Sequence, residues 1–170
     1  TLHFETEWRQ LIAQVRQVTN APLTYAANWT DYERVPFWDA LDVIGIQAYF
    51  PITDHPDPND EALRLGWQKL MNRLSLFSQM HNRKILFTEL GYNQSHNAPV
   101  EPWEYHVDPG TEALQLACLR TALQAIEDEP TVVGSLLWKW FPHPRPIGRN
   151  FQLATPDIKR MLSGLWLERN

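Results

Sequence analysis

The stretch Leu41–Phe50, LDVIGIQAYF, decides the class of fold that this chain adopts. Its residues are apolar almost without interruption, which is typical of a strand buried in a parallel sheet. It ends in Tyr49 and Phe50, and a strand that ends in aromatic side chains presents them at the edge of its sheet. The sequence therefore predicts an α/β protein built on parallel strands.

Three further segments have the composition of strands, and helical patterns separate all four. The other strands are predicted at residues 22–29, Lys84–Leu90 and Thr131–Trp140. Apolar residues spaced three and four apart predict helices on both sides of each of these strands. The predicted helices are Phe4–Val18, a long helix through Leu63–Phe77 capped by Asp57 or Asn59, a helix around Cys118, and one from about Pro156 to Leu167.

This alternation predicts right-handed crossovers and a parallel sheet in sequence order. Two architectures fit four such units: an open doubly wound sheet, or half of a (β/α)8 barrel whose complete form takes about 250 residues. The open sheet usually has a Gly-rich phosphate turn after its first strand, and Ala26–Trp29 is not one. In both architectures ligands bind at the carboxyl ends of the strands. The residues that fall there are Asn28, Trp29, Tyr49, Phe50, Glu89, Tyr92, Trp138 and Trp140.

Composition excludes several classes of partner and cofactor. The 170 residues carry a net charge of −5 with the basic residues scattered, which argues against nucleic acid. No apolar run approaches the roughly 20 residues of a membrane span. The single cysteine, Cys118, allows no intrachain disulfide, and the six histidines are too dispersed for a zinc site, so neither a metal nor another cofactor is expected.

The same features bear on location and on the start of the chain. The absence of a signal sequence and of a disulfide pair favours a soluble, cytoplasmic protein. The chain begins at Thr1 without a methionine, directly in helix-like sequence, which suggests a truncated start.

Glu89 ends the apolar segment Ile85–Phe87, so its carboxylate is expected to be partly desolvated. Such an acid caps a helix or pairs with an arginine about as often as it is catalytic. The aromatic residues at the neighbouring strand ends favour catalysis, since glycosidases surround a sugar with carboxylates and aromatic rings.

Four ordered segments carry a resemblance to a known family. They are Leu23–Trp29, Phe37–Pro51, Phe87–Tyr92 and Leu137–Trp140, and together they resemble glycoside hydrolase family 113. That family belongs to the retaining (β/α)8 barrels and is known mainly for endo-β-1,4-mannanases. The resemblance implies that the four strands are strands five to eight of a barrel that acts on β-linked polysaccharides or oligosaccharides.

The resemblance also implies roles for individual residues. Glu89 occupies the position of the nucleophile, Tyr49 that of the tyrosine bonded to it, and Trp138 that of the platform under the sugar at the cleavage point. Asn28 and Trp29 match positions that face the cleft. Their places at strand ends add Tyr92 and Trp140 to the expected substrate-binding residues.

One expected element of the family is missing from the sequence. The acid/base glutamate lies in a Gly-Thr-Glu-like motif at the end of strand four, and no such motif is present; Glu5 and Glu7 belong to the first helix. Residues 1–170 are therefore expected to form one partial-barrel domain that needs its N-terminal half and is inactive alone. The alternative is a non-catalytic half-barrel that binds carbohydrate or associates with itself.

Overall fold

A parallel sheet of four strands forms the centre of the protein. The computed structural model describes residues 2–141, 143, 145–146 and 151–167. The strands are β1 (Ala26–Asn28), β2 (Val43–Gln47), β3 (Lys84–Leu90) and β4 (Val132–Leu137). All neighbours are parallel and their order in the sheet is the order in the sequence, so the predicted α/β fold and topology are confirmed.

The strands β1, β2 and β4 are shorter than the sequence predicts. Before Ala26, the Asp42 N–H donates to the Leu23 carbonyl at 3.0 Å. The Asp42 carboxylate accepts the Leu23 N–H at 2.6 Å and the Arg16 guanidinium at 2.5 Å. At the other edge, β4 ends at Leu137, three residues before the predicted end.

Within the described residues, four α-helices connect or flank the strands: α1 (Glu5–Val18), α2 (Asp60–His81), α3 (Glu112–Asp128) and α4 (Pro156–Trp166). Single 3₁₀ turns lie at Leu2–Phe4, Tyr32–Arg34 and Trp38–Ala40. Asn59, not Asp57, caps α2, since its Oδ1 accepts the Ala62 N–H at 2.9 Å. The residue that follows α2, Asn82, has the left-handed conformation typical of a helix end, with φ of 49°.

The hydrophobic core lies between the sheet and the helices. Ile44, Ile46, Ile85 and Phe87 alternate along β2 and β3, and each is fully buried. They pack in one cluster with residues of α2 and α3, namely Leu63, Trp67, Leu74, Leu119 and Ala122. The opposite face of the sheet is more open: Ala26 and Asn28 are exposed, and Gln47, Leu86 and Glu89 are half-buried. The polar residues of the strands therefore share the face away from the helices.

Candidate active site

Glu89 reaches the open face of the sheet through a β-bulge. Ile85 and Phe87 point into the core, so regular alternation would turn Glu89 toward the helices as well. Instead the register passes from Ile46 opposite Phe87 directly to Gln47 opposite Glu89, and Thr88 is the additional residue. A bulge re-aims the side chain that follows it. The irregularity therefore places Glu89 beside Gln47 at the carboxyl end of β3.

Three consecutive residues at the end of β2 donate hydrogen bonds to Glu89. The Tyr49 hydroxyl donates to Oε2 at 2.6 Å, and the Gln47 amide donates through Nε2 to Oε1 at 2.7 Å. The backbone N–H of Ala48 donates to the Glu89 carbonyl oxygen at 2.7 Å. Both carboxylate oxygens are thus held by neutral donors. None of the ion pairs formed by the described residues includes Glu89, so the arginine pairing considered for it is not what the structure shows.

The phenol of Tyr49 is held in its protonated form. Burial raises its pKa well above the ordinary value, and the hydrogen bond to the Glu89 carboxylate raises it further. The edge of the Tyr49 ring packs against Phe151, with ring centroids 6.0 Å apart, and Tyr105 packs on Phe151 at 5.2 Å. Tyr49 can therefore act as a fixed donor to Glu89.

Trp138 follows β4 and lies beside β3. Its N–H donates to the Leu90 carbonyl at 2.8 Å, which continues the pairing of the two strands past Leu137. The backbones approach so closely that a Cβ placed on Gly91 would lie 1.7 Å from the Trp138 oxygen. The ring is 37% exposed, and the Lys139 ammonium lies 4.9 Å from its centroid. Trp138 thus presents an aromatic surface next to the strand that carries Glu89.

Asn28 and Trp29 lie on the other side of Glu89, at the end of β1. Asn28 is directly in register with Gln47, and its Oδ1 accepts the N–H and the hydroxyl of Thr30 at 3.0 and 2.9 Å. The Trp29 ring is stacked against Trp103, with centroids 5.1 Å apart and planes inclined by 19°. Trp103 covers part of Trp29 and is itself 37% exposed. The aromatic surface offered to a ligand here therefore includes Trp103.

The structure places two of the predicted substrate-binding residues, Tyr92 and Trp140, away from Glu89. Tyr92 is 1% exposed and belongs to the hydrophobic core cluster with Trp67 and Cys118, so it has no surface to offer a sugar. Trp140 lines a groove with Leu137 and α4 residues that include Leu162 and Trp166. The Trp140 side chain therefore borders α4.

Four residues at or near the site were not predicted from the sequence: Gln47, Trp103, Tyr105 and Phe151. Gln47 was detectable, because it lies two residues before Tyr49 in a predicted strand and so shares its face. Trp103 and Tyr105 lie in the long loop between β3 and α3, and Phe151 lies between β4 and α4. Their proximity to the site has no local sequence signal, since it depends on how these loops pack.

The loop between β3 and α3 is held in place by its own polar groups. The carboxylate of Asp108 accepts the His96 N–H at 2.9 Å and contacts His106 Nε2 at 2.8 Å. The hydrogen bond from the His96 N–H has the largest effect on the pKa of Asp108 and lowers it, and the contact with His106 also lowers it. The Pro99 carbonyl accepts the Ile52 N–H at 2.8 Å, which ties the loop to the segment after β2. These hydrogen bonds therefore fix the loop that carries Trp103 and Tyr105.

The acids near the N-terminus do not complete the site. Glu5 is paired with Arg9 at 2.7 Å, and Arg9 also holds Asp39 at 2.9 Å. Glu7 is an exposed residue of the same helix. Within the described ranges, no three His, Cys, Asp or Glu side chains are grouped to hold a metal ion, and no helix is long and apolar enough to cross a membrane.

A carboxylate held at the ends of parallel strands and bordered by aromatic rings is typical of β/α-barrel glycoside hydrolases. The chain belongs to Glycoside Hydrolase Family 113, whose family model matches residues 1–148. No curated protein sequence matches it.

Solved structures of the same family share the fold. A GH113 β-1,4-mannanase superposes with a TM-score of 0.79 at 21% identity, over 97% of this chain and 52% of its own. The GH113 β-mannanase AaManA from Alicyclobacillus acidocaldarius, solved in complex with ManMIm, has a TM-score of 0.75 at 25% identity, over 94% and 50%. These relatives are TIM barrels, and the chain spans about half their length.

The fold similarity extends outside the family. A β-glucuronidase from Faecalibacterium prausnitzii has a TM-score of 0.65 at 17% identity, over 96% of this chain and 28% of its own. At this identity the likeness concerns the fold alone.

Proposed function

We propose that this chain forms strands five to eight of a retaining glycoside hydrolase that acts on β-1,4-linked mannan or related β-glycans, with Glu89 as its nucleophile. The observation that carries the proposal is the Glu89 carboxylate, held by Tyr49 and Gln47 at 2.6 and 2.7 Å at the carboxyl end of β3. Family membership supports the reaction class, and the mannanases among the structural relatives support the substrate.

The proposed reaction is a double displacement. The Glu89 carboxylate attacks the anomeric carbon while a protonated acid about 5–5.5 Å away protonates the leaving oxygen. The same partner then removes a proton from water, which releases the sugar with retained configuration. Neutral donors suit this role, because Tyr49 and Gln47 orient the carboxylate without pairing it with a cation that would compete with the developing oxocarbenium charge.

The acid/base group is proposed to come from a strand outside residues 1–170. Glu5 is engaged with Arg9, and Glu7 is exposed on α1, so neither is placed for proton transfer. General acid/base groups contribute typically about 10²–10⁴ in rate, so this chain alone is expected to lack measurable activity. The complete barrel consists of this chain joined to the part that the proposal places before it, which is three strand–helix units and a fourth strand whose helix is α1.

The proposed substrate contacts extend on both sides of Glu89. Trp138 supplies a platform beside the reacting sugar, while Asn28 and the Trp29–Trp103 pair lie two strands away, at roughly 10 Å for a strand spacing of about 4.8 Å. Tyr105 is half-exposed and packs on Phe151, which also contacts the Tyr49 ring. Separated aromatic surfaces favour a glycan of several sugar units over a single sugar.

The decisive experiment compares the complete barrel with its Glu89→Gln variant on mannan and on an activated aryl mannoside. The amide is nearly isosteric and a far poorer nucleophile, so turnover should be lost while the fold remains. Glu112→Gln, at an exposed position in the first turn of α3, is the matched control and should keep full activity. NMR of the first products should show retained anomers. Parent-like rates in Glu89→Gln, or inverted products, would refute the mechanism.

A second candidate function is favoured by one feature, the apolar groove at the β4 edge. About 620 Å³ in volume, it is lined by residues that include Leu137, Trp140, Leu162 and Trp166. Exposed apolar surface beside an unpaired strand edge promotes association, so a self-associating half-barrel would use this surface. Sedimentation of the isolated chain tests it: a defined dimer that binds mannan without hydrolysing it supports this function, and a dispersed monomer excludes it.

A further inference from the structure

We propose that Gln47 is a positioning residue that fixes the orientation of the Glu89 carboxylate for attack. The inference rests on the proposed function of Glu89 and adds a residue to it. Its basis is the contact between Gln47 Nε2 and Glu89 Oε1 at 2.7 Å, on the oxygen that Tyr49 does not hold.

Two donors constrain a carboxylate more than one does. If Tyr49 were the only donor, the Glu89 carboxylate could rotate about the hydrogen bond at Oε2, and Oε1 would have no fixed position. A second bond to Oε1 fixes the plane of the carboxylate. Both contacts fall within the short distances of charge-assisted hydrogen bonds. Attack on the anomeric carbon requires an aligned oxygen lone pair, and small misalignments of reacting groups are costly in rate.

The backbone of β2 makes Gln47 a rigid support. Gln47 lies between Ile46 and Ala48, which are 0% and 2% exposed. The Ala48 N–H donates a hydrogen bond to the Glu89 carbonyl. The bulge at Thr88 brings Gln47 and Glu89 opposite each other. Side chain and backbone of Glu89 are thus tied to one short segment of the neighbouring strand.

The chemistry of the amide group also suits this position. An ionised carboxylate only accepts hydrogen bonds, so the Gln47 amide must present its N–H₂ to Glu89. A glutamate here would place a second negative charge beside the first and would need a proton to make the same contact. The neutral amide donates without adding charge.

The test replaces Gln47 by Leu in the complete barrel and measures kcat and KM on mannan. Loss of one hydrogen bond to a charged group predicts a kcat lower by about 10- to 100-fold, with KM close to that of the parent. Gln79→Leu is the matched control, because Gln79 is an exposed α2 residue with only a long contact to Ser75, at 3.4 Å. That control should keep the parent kcat.

Gln47→Glu provides a second variant that preserves shape if the leucine disturbs folding. The added carboxylate should move the acidic limb of the kcat profile to higher pH, since two neighbouring carboxyl groups resist simultaneous ionisation. A purely structural role would leave the position of that limb unchanged, and such a result would overturn the proposal.

NMR of the Gln47 side-chain amide provides a readout that is independent of activity. Its bonded proton should resonate downfield of the Gln79 amide protons and should shift when Glu89 is changed to Gln. Superimposable Gln47 and Gln79 amide signals would overturn the proposal. The proposal would also be overturned if the Gln47→Leu variant kept the parent kcat and at most had a higher KM.

The outcomes separate this inference from the function on which it rests. If Glu89→Gln abolishes turnover while Gln47→Leu has the parent kcat, the positioning role is wrong and the nucleophile stands. If Glu89→Gln keeps turnover, the proposed function itself fails.

Discussion

Replacing Gly91 by alanine should disrupt the junction that presents Trp138. An added Cβ would lie 1.7 Å from the Trp138 carbonyl oxygen and 2.8 Å from its carbon. Ordinary contact begins at 3.4 Å, so the two groups must separate by about 1.7 Å, the difference between 3.4 and 1.7. The obstacle is backbone, which cannot rotate away as a flexible side chain would. Trp138 must therefore move relative to β3.

The magnitude follows from two contributions. Overpacking costs typically about 1–3 kcal/mol. Separation of the strands also weakens the hydrogen bond from Trp138 to the Leu90 carbonyl, worth about 0.5–1.5 kcal/mol. The free energy of unfolding should therefore fall by about 1.5–4.5 kcal/mol. In the complete barrel kcat/KM should fall as well, because the Trp138 ring moves relative to the strand that carries Glu89.

Equilibrium urea unfolding followed by tryptophan fluorescence measures this loss. The matched control is Gly110→Ala, since Gly110 has φ of 82° and no atom within 4 Å of the point that an added Cβ would occupy. That substitution strains only the backbone, at a cost of about 1–2 kcal/mol, and leaves Trp138 untouched. If Gly91→Ala is no more destabilising than this control and keeps full activity, the close approach of the two backbones is not what holds Trp138.

Three further substitutions or reagents test separate parts of the site and core. Tyr49→Phe should lower kcat about 10- to 100-fold, because it removes the hydrogen bond to Glu89 Oε2. The raised pKa keeps the Tyr49 phenol protonated at alkaline pH, so the substitution should not remove an alkaline limb from the rate profile. An alkaline limb present in the parent and absent in the variant would contradict this. Trp103→Ala should weaken mannan binding, because it removes a partly exposed ring stacked on Trp29, and should leave hydrolysis of a small aryl mannoside unchanged. Equal losses on both substrates would place Trp103 outside the proposed distal contact. Burial raises the pKa of Cys118 to about 12, so its thiol should react with a disulfide reagent only after denaturation. Rapid labelling of the native protein at neutral pH would show that the core around α3 is open.

The sequence was sufficient to predict the elements that depend on periodicity. The run at β2, the strand Lys84–Leu90 and all four helices follow from apolar spacing, because burial against one face imposes it. The strands β1, β2 and β4 were overestimated, since their apolar and aromatic composition extends beyond the residues that pair. Before β1, the side-chain bonds of Asp42 hold part of the segment that was expected to pair.

The site was predictable only in part. Resemblance to the family pointed to Glu89 and Tyr49, and the structure brings these two side chains together. The bulge at Thr88 is what turns Glu89 to the open face, and no residue in Phe87–Leu90 signals it. Tyr92, expected at the cleft, lies in the core, because position after a strand says nothing about which layer the side chain enters once the strand has ended. Trp103 reaches Trp29 through packing of a long loop, which is a long-range property.

Trapping a covalent bond between the Glu89 carboxylate and the sugar tests the proposed mechanism most directly. A fluorinated mannoside with a highly activated leaving group slows both steps but lets the first proceed, so the glycosyl-enzyme accumulates in the complete barrel. Proteolysis and mass spectrometry then locate the added mass. We expect one sugar attached through an ester to Glu89, and no adduct in the Glu89→Gln variant. A label on any other carboxylate, or an adduct that survives in Glu89→Gln, would contradict the assignment of Glu89 as the nucleophile.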